Sequence, residues 1–278
     1  MSAEQQRRPV PLRPALQRAA RALCEAATTT AVREAADALD VQCALAFKHY
    51  EGPAGTTLTK SLSKEDCDAP EKVALVDALA GVSMSSLEVL LRSRKLNHVN
   101  LGARLLWAWS FPPSRAVSVP DVKPLIGSGR VFSAVLDAVL AVEGPTLRAI
   151  ADAGGEHAGG GVAALALDAL LSMFVGILNL KPRMMKRFID APQREGVLRC
   201  VGRLYKPLSR RADGNGSLAS LHSVATSVLH SLTSKGGAAL LWSMTNTVRD
   251  VMASVVAQVR ARQLATSPPV APACAGSP

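Results

Sequence analysis

The residues best suited to chemistry in this sequence are cations, and they are concentrated in one stretch of the chain. Residues 181–211 contain ten Lys or Arg and two acidic residues, a formal excess of eight positive charges in a protein whose total is +10. Residues 1–24 carry a second excess of four. Such concentration has two interpretations: a solvated face together with a flexible basic tail, or attraction to an anionic partner, such as RNA, an acidic protein or a membrane surface.

Within this stretch, one predicted helix separates its cations from its apolar side chains. Val197, Val201 and Leu204 recur at helical spacing and predict a buried stripe. A basic row has the same spacing but is shifted by two residues, about 200° around a helix, so we expect it to face solvent without acidic partners. Pro207 is expected to bend or end the helix. The candidate partner-binding residues are Arg183, Lys186, Arg187, Arg199, Arg203, Lys206, Arg210 and Arg211.

Residue types used in catalysis and metal binding show no recognisable arrangement. The five histidines are scattered, and the sequence contains no His-Glu-x-x-His pair, no Gly-x-Ser-x-Gly elbow and no phosphate-binding Gly-Lys-Ser/Thr loop. The five cysteines are odd in number and include no Cys-x-x-Cys pair, which favours a reducing compartment over a disulfide framework or a zinc site. We therefore expect a non-enzymatic protein with no catalytic residue, no cofactor and no metal.

The elements that position the basic stretch are predicted to be helices throughout, which makes the fold class all-α. Alanine and leucine carry the apolar content and aromatic residues make up only 4% of the chain, a mixture that favours helices over strands. Two separate helices are expected on either side of Pro145, between residues 131 and 152. The predicted organisation is a basic tail at 1–11, a helical hairpin at 12–50, a loop at 51–70, a helical-repeat domain at 71–264 and a disordered Pro/Ala-rich tail at 265–278.

A helix-ending pattern recurs three times, at residues 103–111, 166–174 and 225–233. Each copy begins with an alanine and has a large apolar residue four positions later. Gly81–Phe111 and Arg187–Thr233 resemble armadillo/HEAT repeats, in which a leucine-rich helix, a polar turn and a second helix led by a small residue follow one another. This resemblance implies an armadillo-like helical solenoid that binds partners.

The spacing of the copies departs from that family. The alanines that begin them are 63 and 59 residues apart, where about 40–47 is usual. An irregular helical-repeat bundle is therefore the alternative architecture.

Asn100–Trp109 also resembles the Leu-Trp-Ala helix of organellar octotricopeptide and FAST-type RNA-binding repeats. That resemblance implies RNA binding in a mitochondrion or plastid. Residues 1–27 are rich in arginine and nearly free of acids up to Glu25, a pattern typical of a transit peptide. The other interpretation is an arm followed by an ordinary first helix.

Val162–Leu180 raises the question of a membrane span, because it is 19 residues long with one charged residue, Asp168. Inserting that carboxylate costs about 2.5–3.5 kcal/mol, so we expect a buried helix and no membrane partner. The sequence thus predicts an intracellular, cytoplasmic scaffold that binds a protein partner. If that partner binds to the basic stretch, we expect it to be acidic. Organellar RNA binding is the alternative, and the oligomeric state is left open.

Overall fold

A computed structural model of the chain describes residues 12–46, 70–110, 129–152, 161–180, 182–211, 220–228 and 231–232. These residues form helices and short turns, and none of them lies in a β-strand, which confirms the predicted all-α class. The predicted tails at 1–11 and 265–278, most of the loop at 51–70 and a predicted helix at 238–264 lie outside the described residues. Where the structure describes them, the other predicted helices are present with boundaries close to those expected, apart from the regions around Pro145 and Pro207.

Local sequence signals account for several helix boundaries. Pro14 occupies the first turn of one helix, where its missing amide is tolerated. Thr28 and Ser83 cap the helices that begin at Thr29 and Met84, since their hydroxyls accept hydrogen bonds from the amides of Ala31 and Ser86. In chain order the helices are α1 (Pro14–Glu25), α2 (Thr29–Ala46), α3 (Pro70–Ala78), α4 (Met84–Leu91), α5 (Leu96–Ser110), α6 (Gly129–Asp152), α7 (Gly161–Leu180), α8 (Pro182–Asp190) and α9 (Arg194–Arg211), and residues 220–228 form a further helix.

Helix α6 is continuous where the sequence predicted two helices, so that prediction was wrong. The residue before a proline normally avoids helical geometry because its Cβ meets the proline ring, but residue 144 is glycine and has no Cβ. The Thr146 hydroxyl donates to the Val142 carbonyl at 2.7 Å and supports the turn. Because Pro145 has no amide hydrogen, the carbonyl of Ala141 lacks the usual donor four residues later. Helix α9 likewise runs past Pro207 to Arg211.

The helices pack as two rows that alternate along the chain. In one row α1 contacts α3, α3 contacts α5 and α5 contacts α7. In the other, α2 contacts α4, α4 contacts α6 and α6 contacts α9. Contacts of α1 with α2, α4 with α5 and α6 with α7 join the rows. The N-terminal hairpin therefore shares the core of the helices that follow it.

The first two copies of the recurring sequence pattern lie on the neighbouring helices α5 and α7, and the third begins in the helix at 220–228. Arg104 of α5 donates to the Leu165 carbonyl of α7, and Ser220 of the following helix donates to Asp168 of α7. The alanines that begin the copies, Ala103, Ala166 and Ala225, are fully buried. A small residue at this position allows the helices to approach closely.

Helix α5 is the centre of the described core, with every residue from His98 to Leu106 buried. A second centre is aromatic: Phe174 of α7 stacks with Phe132 of α6 at 6.5 Å and meets Phe188 of α8 edge-on at 4.9 Å. Among the helices as far as they are described, none has the length and apolar composition needed to cross a membrane.

Candidate interaction surface

The helices that carry the basic stretch turn apolar side chains into the core and expose four of their described cations. On α8, Met184, Met185 and Phe188 are buried, whereas Lys186 and Arg187 are exposed. This placement follows from helical spacing, since the apolar residues occupy one face.

On α9, the predicted stripe of Val197, Val201 and Leu204 is buried. Arg199 and Arg203 lie on the exposed side. Arg183 lies in α8, and Lys206, Arg210 and Arg211 lie in α9, but their side chains are outside the described part of the structure.

The expectation that the basic row lacks acidic partners was wrong for the two arginines whose side chains are described. Arg199 donates to Glu195 one turn earlier, with Nη2 at 2.8 Å from Oε1. Arg203 reaches Glu143 on α6, with Nη1 at 3.5 Å from Oε1. The first acid lies inside the stretch, but the second is 60 residues away, and only the packing of α9 on α6 brings it close.

Helix α6 lies between α4 and α9, and a polar network ties the three together. Asp137 of α6 lies 3.5 Å from Nε of Arg92, beside α4, and accepts a hydrogen bond at 2.8 Å from Gln193, just before α9. The glycine at 196 explains the close approach of α9, because a Cβ there would come within 2.9 Å of Leu140. These contacts join the outer face of α6 to both neighbours.

That outer face carries two exposed arginines five helical turns apart, Arg130 and Arg148. Among the described side chains, no carboxylate lies within ion-pair distance of either one. The Arg148 guanidinium lies over Gly144, at 4.0 Å from where a Cβ would be. These cations were missed by sequence reasoning, which considered only the dense stretch at 181–211.

A second polar cluster joins α2 to the turn between α4 and α5. His98 is fully buried, and its Nε2 lies 2.8 Å from Oδ1 of Asp37. Its Nδ1 lies 3.1 Å from the Ser93 hydroxyl, and Lys95 donates to the other oxygen of Asp37 at 2.7 Å. Because a carboxylate only accepts, Nε2 carries the proton. Nothing in the sequence signals this cluster, since Asp37 is 61 residues from His98.

The connectivity of this cluster is that of a hydrolytic Ser-His-Asp triad with the two ring nitrogens exchanged. A nucleophile must be open to substrate, but Ser93 is only 7% exposed and its oxygen also accepts the Lys95 amide. In a working triad the serine hydroxyl lies between the histidine ring and the bound substrate, so that its oxygen can attack the substrate. The arrangement is suited to holding the α4–α5 turn against α2.

We expect the Asp37 carboxylate to give folding stability a component that depends on pH. Hydrogen bonds from Lys95 and His98 hold the pKa of Asp37 below its usual value. At acidic pH the unfolded chain then binds more protons than the folded chain, so the free energy of unfolding rises with pH in this range. The contribution of Asp37 is lost as the pH falls through the pKa that this carboxyl has in the folded protein. Urea unfolding of Asp37→Asn from neutral to acidic pH should show a shallower pH dependence than the unsubstituted protein.

The exposed carboxylate Glu34, on the same helix, provides the control for that measurement. Glu34→Gln should preserve more of the acid dependence than Asp37→Asn does. Equal slopes for the unsubstituted protein and Asp37→Asn would contradict the assignment of the hydrogen-bond cluster.

A buried ion pair links α5 to α7. Arg104 is 1% exposed, and its Nη2 donates to the Leu165 carbonyl at 2.6 Å and lies 3.5 Å from Oδ2 of Asp168. Trp107 lies 5.9 Å from the guanidinium. Burial lowers the pKa of Arg104 to about 10, against the attraction of Asp168, so the side chain is charged at neutral pH. Asp168, the one charged residue of Val162–Leu180, is therefore paired with a cation and also accepts a hydrogen bond from Ser220.

The described cysteines are poorly suited to act as nucleophiles. Cys24, Cys43 and Cys200 are free thiols, and burial raises the pKa values of Cys24 and Cys200. The thiolate, which is the reactive form, is therefore disfavoured at both positions. Within the described ranges, no three His, Cys, Asp or Glu side chains are grouped so that they could hold a metal ion.

Comparison with known proteins gives no relative: the chain matches no protein-family model, no curated protein and no solved structure.

Proposed function

We propose that this protein is a non-enzymatic, armadillo-like helical-repeat scaffold that binds an anionic protein partner through the basic surface of α8 and α9. The observation that carries the proposal is the alternation of two helix rows, with Lys186 and Arg187 of α8 and Arg199 and Arg203 of α9 exposed. In such stacks each helix pair buries its apolar face against the next pair, and the outer faces remain free for binding.

The neighbour relations of the recurring pattern support the repeat interpretation. Its three copies lie on helices that contact one another in succession, as units of a stack do. Helix α8 adds one helix to the 59-residue interval between the second and third copies. An irregular stack of this kind is the architecture we propose.

An acidic protein fits the surface better than RNA does. A nucleic acid presents a uniform row of phosphates and favours uncompensated cations. Here Arg199 and Arg203 are paired with Glu195 and Glu143, so the surface mixes both signs. Mixed charges suit a protein partner, whose own acids and bases can pair with both. Organellar RNA binding remains the alternative, and the following measurement separates the two.

Neutralising the exposed cations should weaken binding to a polyanion in a salt-dependent way. The variant replaces Lys186, Arg187, Arg199 and Arg203 by Gln, because Glu would add like charges beside Glu143 and Glu195. Binding of poly-glutamate and of oligouridylate is measured by fluorescence anisotropy over a series of salt concentrations. We expect poly-glutamate to bind more tightly than oligouridylate, and the variant to lose affinity for poly-glutamate.

The control variant replaces two exposed cations of α1, Arg18 and Arg21, by Gln. It should leave the affinity for poly-glutamate nearly unchanged. Tighter binding of oligouridylate, with a salt slope that falls by nearly one unit for each cation removed, would favour the RNA alternative. Unchanged binding of both ligands by the α8–α9 variant would show that the basic surface is only solvated.

A further inference from the structure

The large apolar side chains that the described surface exposes lie together near the end of α2. Val41 is 57% exposed and Leu45 is 58% exposed, and among the described residues these are the two large hydrophobic side chains in that state. They lie one helical turn apart on one face, between the exposed alanines Ala38 and Ala44 on either side. We call the surface formed by these four residues the α2 patch.

The packing of the domain does not account for the α2 patch. The opposite side of α2 supplies the buried side chains of this helix, and the helix contacts α1, α4 and α5. The buried residues are Val32, Ala35, Ala36, Leu39 and Cys43. A second apolar surface on a helix that already has a buried side costs free energy while it faces water, and such surfaces mark contacts with other molecules.

The spacing of the patch makes it complementary to a second copy of itself. In an antiparallel pair related by a two-fold axis, each contact occurs twice, so Val41 of one copy packs on Leu45 of the other and the reverse contact follows by symmetry. Ala44 lies between the two large residues along the chain, and its small side chain allows the helices to approach closely.

The charges near the patch favour the antiparallel arrangement. Before Val41, helix α2 carries one cation and three acids, which are Arg33, Glu34, Asp37 and Asp40. Counting Lys95, which is bound to one of these acids, they still exceed the cations by three to two. At the other end of the patch, Arg13 of α1 donates to the Leu45 carbonyl at 3.3 Å. An antiparallel pair brings this cation of each copy toward the acidic half of the other α2.

We infer that the α2 patch is a self-association surface through which two copies of this chain form an antiparallel, two-fold contact. Stable interfaces bury about 800 Å² on each partner, more than two large and two small side chains supply, so the dimer is weak and reversible. With a net charge of +10, two copies repel each other over much of their surface, whereas α2 has a formal excess of acids. The inference does not depend on the proposed function, which uses other helices.

Sedimentation velocity of the full chain over a wide range of protein concentration tests the association. The average mass of the unsubstituted protein should rise with concentration toward twice that of the monomer. Val41→Gln combined with Leu45→Gln should weaken the association at least about tenfold, which corresponds to about 1.4 kcal/mol. Ala22→Gln combined with Ala27→Gln is the control, since both alanines are exposed outside the patch, and it should associate as the unsubstituted protein does. Circular dichroism of each variant reports that the fold is retained.

Cross-linking with a short bismaleimide tests the antiparallel geometry. In Ala44→Cys the two new thiols lie next to the two-fold axis, so the yield of cross-linked dimer should exceed that of the unsubstituted protein. Thr30→Cys is the matched control, because Thr30 is exposed on the same helix but its two copies lie about 39 Å apart in the antiparallel pair. Its yield should equal that of the unsubstituted protein.

Two results would each overturn the inference. The first is an unsubstituted protein that stays monomeric at every concentration, which would leave the α2 patch to a different molecule, such as a basic amphipathic helix. The second is association that the glutamine substitutions at Val41 and Leu45 leave unchanged. Equal cross-linking through Ala44→Cys and Thr30→Cys would contradict the antiparallel contact.

Discussion

Replacing Asp168 by leucine should destabilise the protein by about 3 kcal/mol, because it leaves the buried Arg104 guanidinium without its counter-charge. Arg104 is almost completely enclosed, and desolvation already lowers its pKa. The substitution also removes the acceptor of the Ser220 hydroxyl at 3.0 Å, which joins α7 to the next helix. Urea unfolding followed by circular dichroism measures the change in the free energy of unfolding.

A double variant distinguishes loss of the ion pair from simple loss of packing. Arg104→Met combined with Asp168→Leu removes both charges and keeps apolar volume at the interface of α5 and α7. Replacing a buried pair by apolar residues is often neutral or stabilising, so the double variant should be more stable than Asp168→Leu alone. A double variant as unstable as the sum of the single changes would mean that the two side chains act independently.

Leu23→Ala should destabilise the full chain by about 3 kcal/mol, within the range for a fully buried leucine. Leu23 lies in α1 and is fully buried, together with Ala20 and close to Leu16. Helix α1 packs against α2 and α3, so its apolar face is part of the common core. The midpoint temperature of unfolding and the urea midpoint measure the effect.

The same variant tests the interpretation of residues 1–27 as a transit peptide. Gln17→Ala, at an exposed position on the same helix, is the control and should change stability by less than about 0.5 kcal/mol. Stability that is unaffected by Leu23→Ala would show that α1 is dispensable, as a removable leader would be. A large loss of stability would mean that α1 belongs to the folded domain.

The prediction of helices succeeded because it depended on local properties. Periodic apolar residues, the cap residues Thr28 and Ser83, and Pro14 in a first turn act within a few residues of their own position. The same locality explains why the buried stripe of α9 and its exposed arginines were placed correctly. The error at Pro145 was also local: the preceding glycine removes the steric conflict that normally ends a helix before proline.

The charge partners that lie on different helices could not be predicted, since they are set by distances across the folded chain. Glu143 reaches Arg203, Asp168 reaches Arg104 and Asp37 reaches His98, and each pair is separated by about 60 residues. A pair one turn apart on one helix, such as Arg199 with Glu195, follows from helical spacing, but a pair between helices does not.

The sequence by itself therefore determined which segments are helical, which faces of them are apolar, and where the cations are concentrated. Only the tertiary structure decided that Arg203 of the basic stretch is paired with Glu143 of α6 and that Arg104 of α5 is paired with Asp168 of α7. The physical reason is that a helix face is a local property, whereas the electrostatic environment of a side chain depends on every helix packed against it.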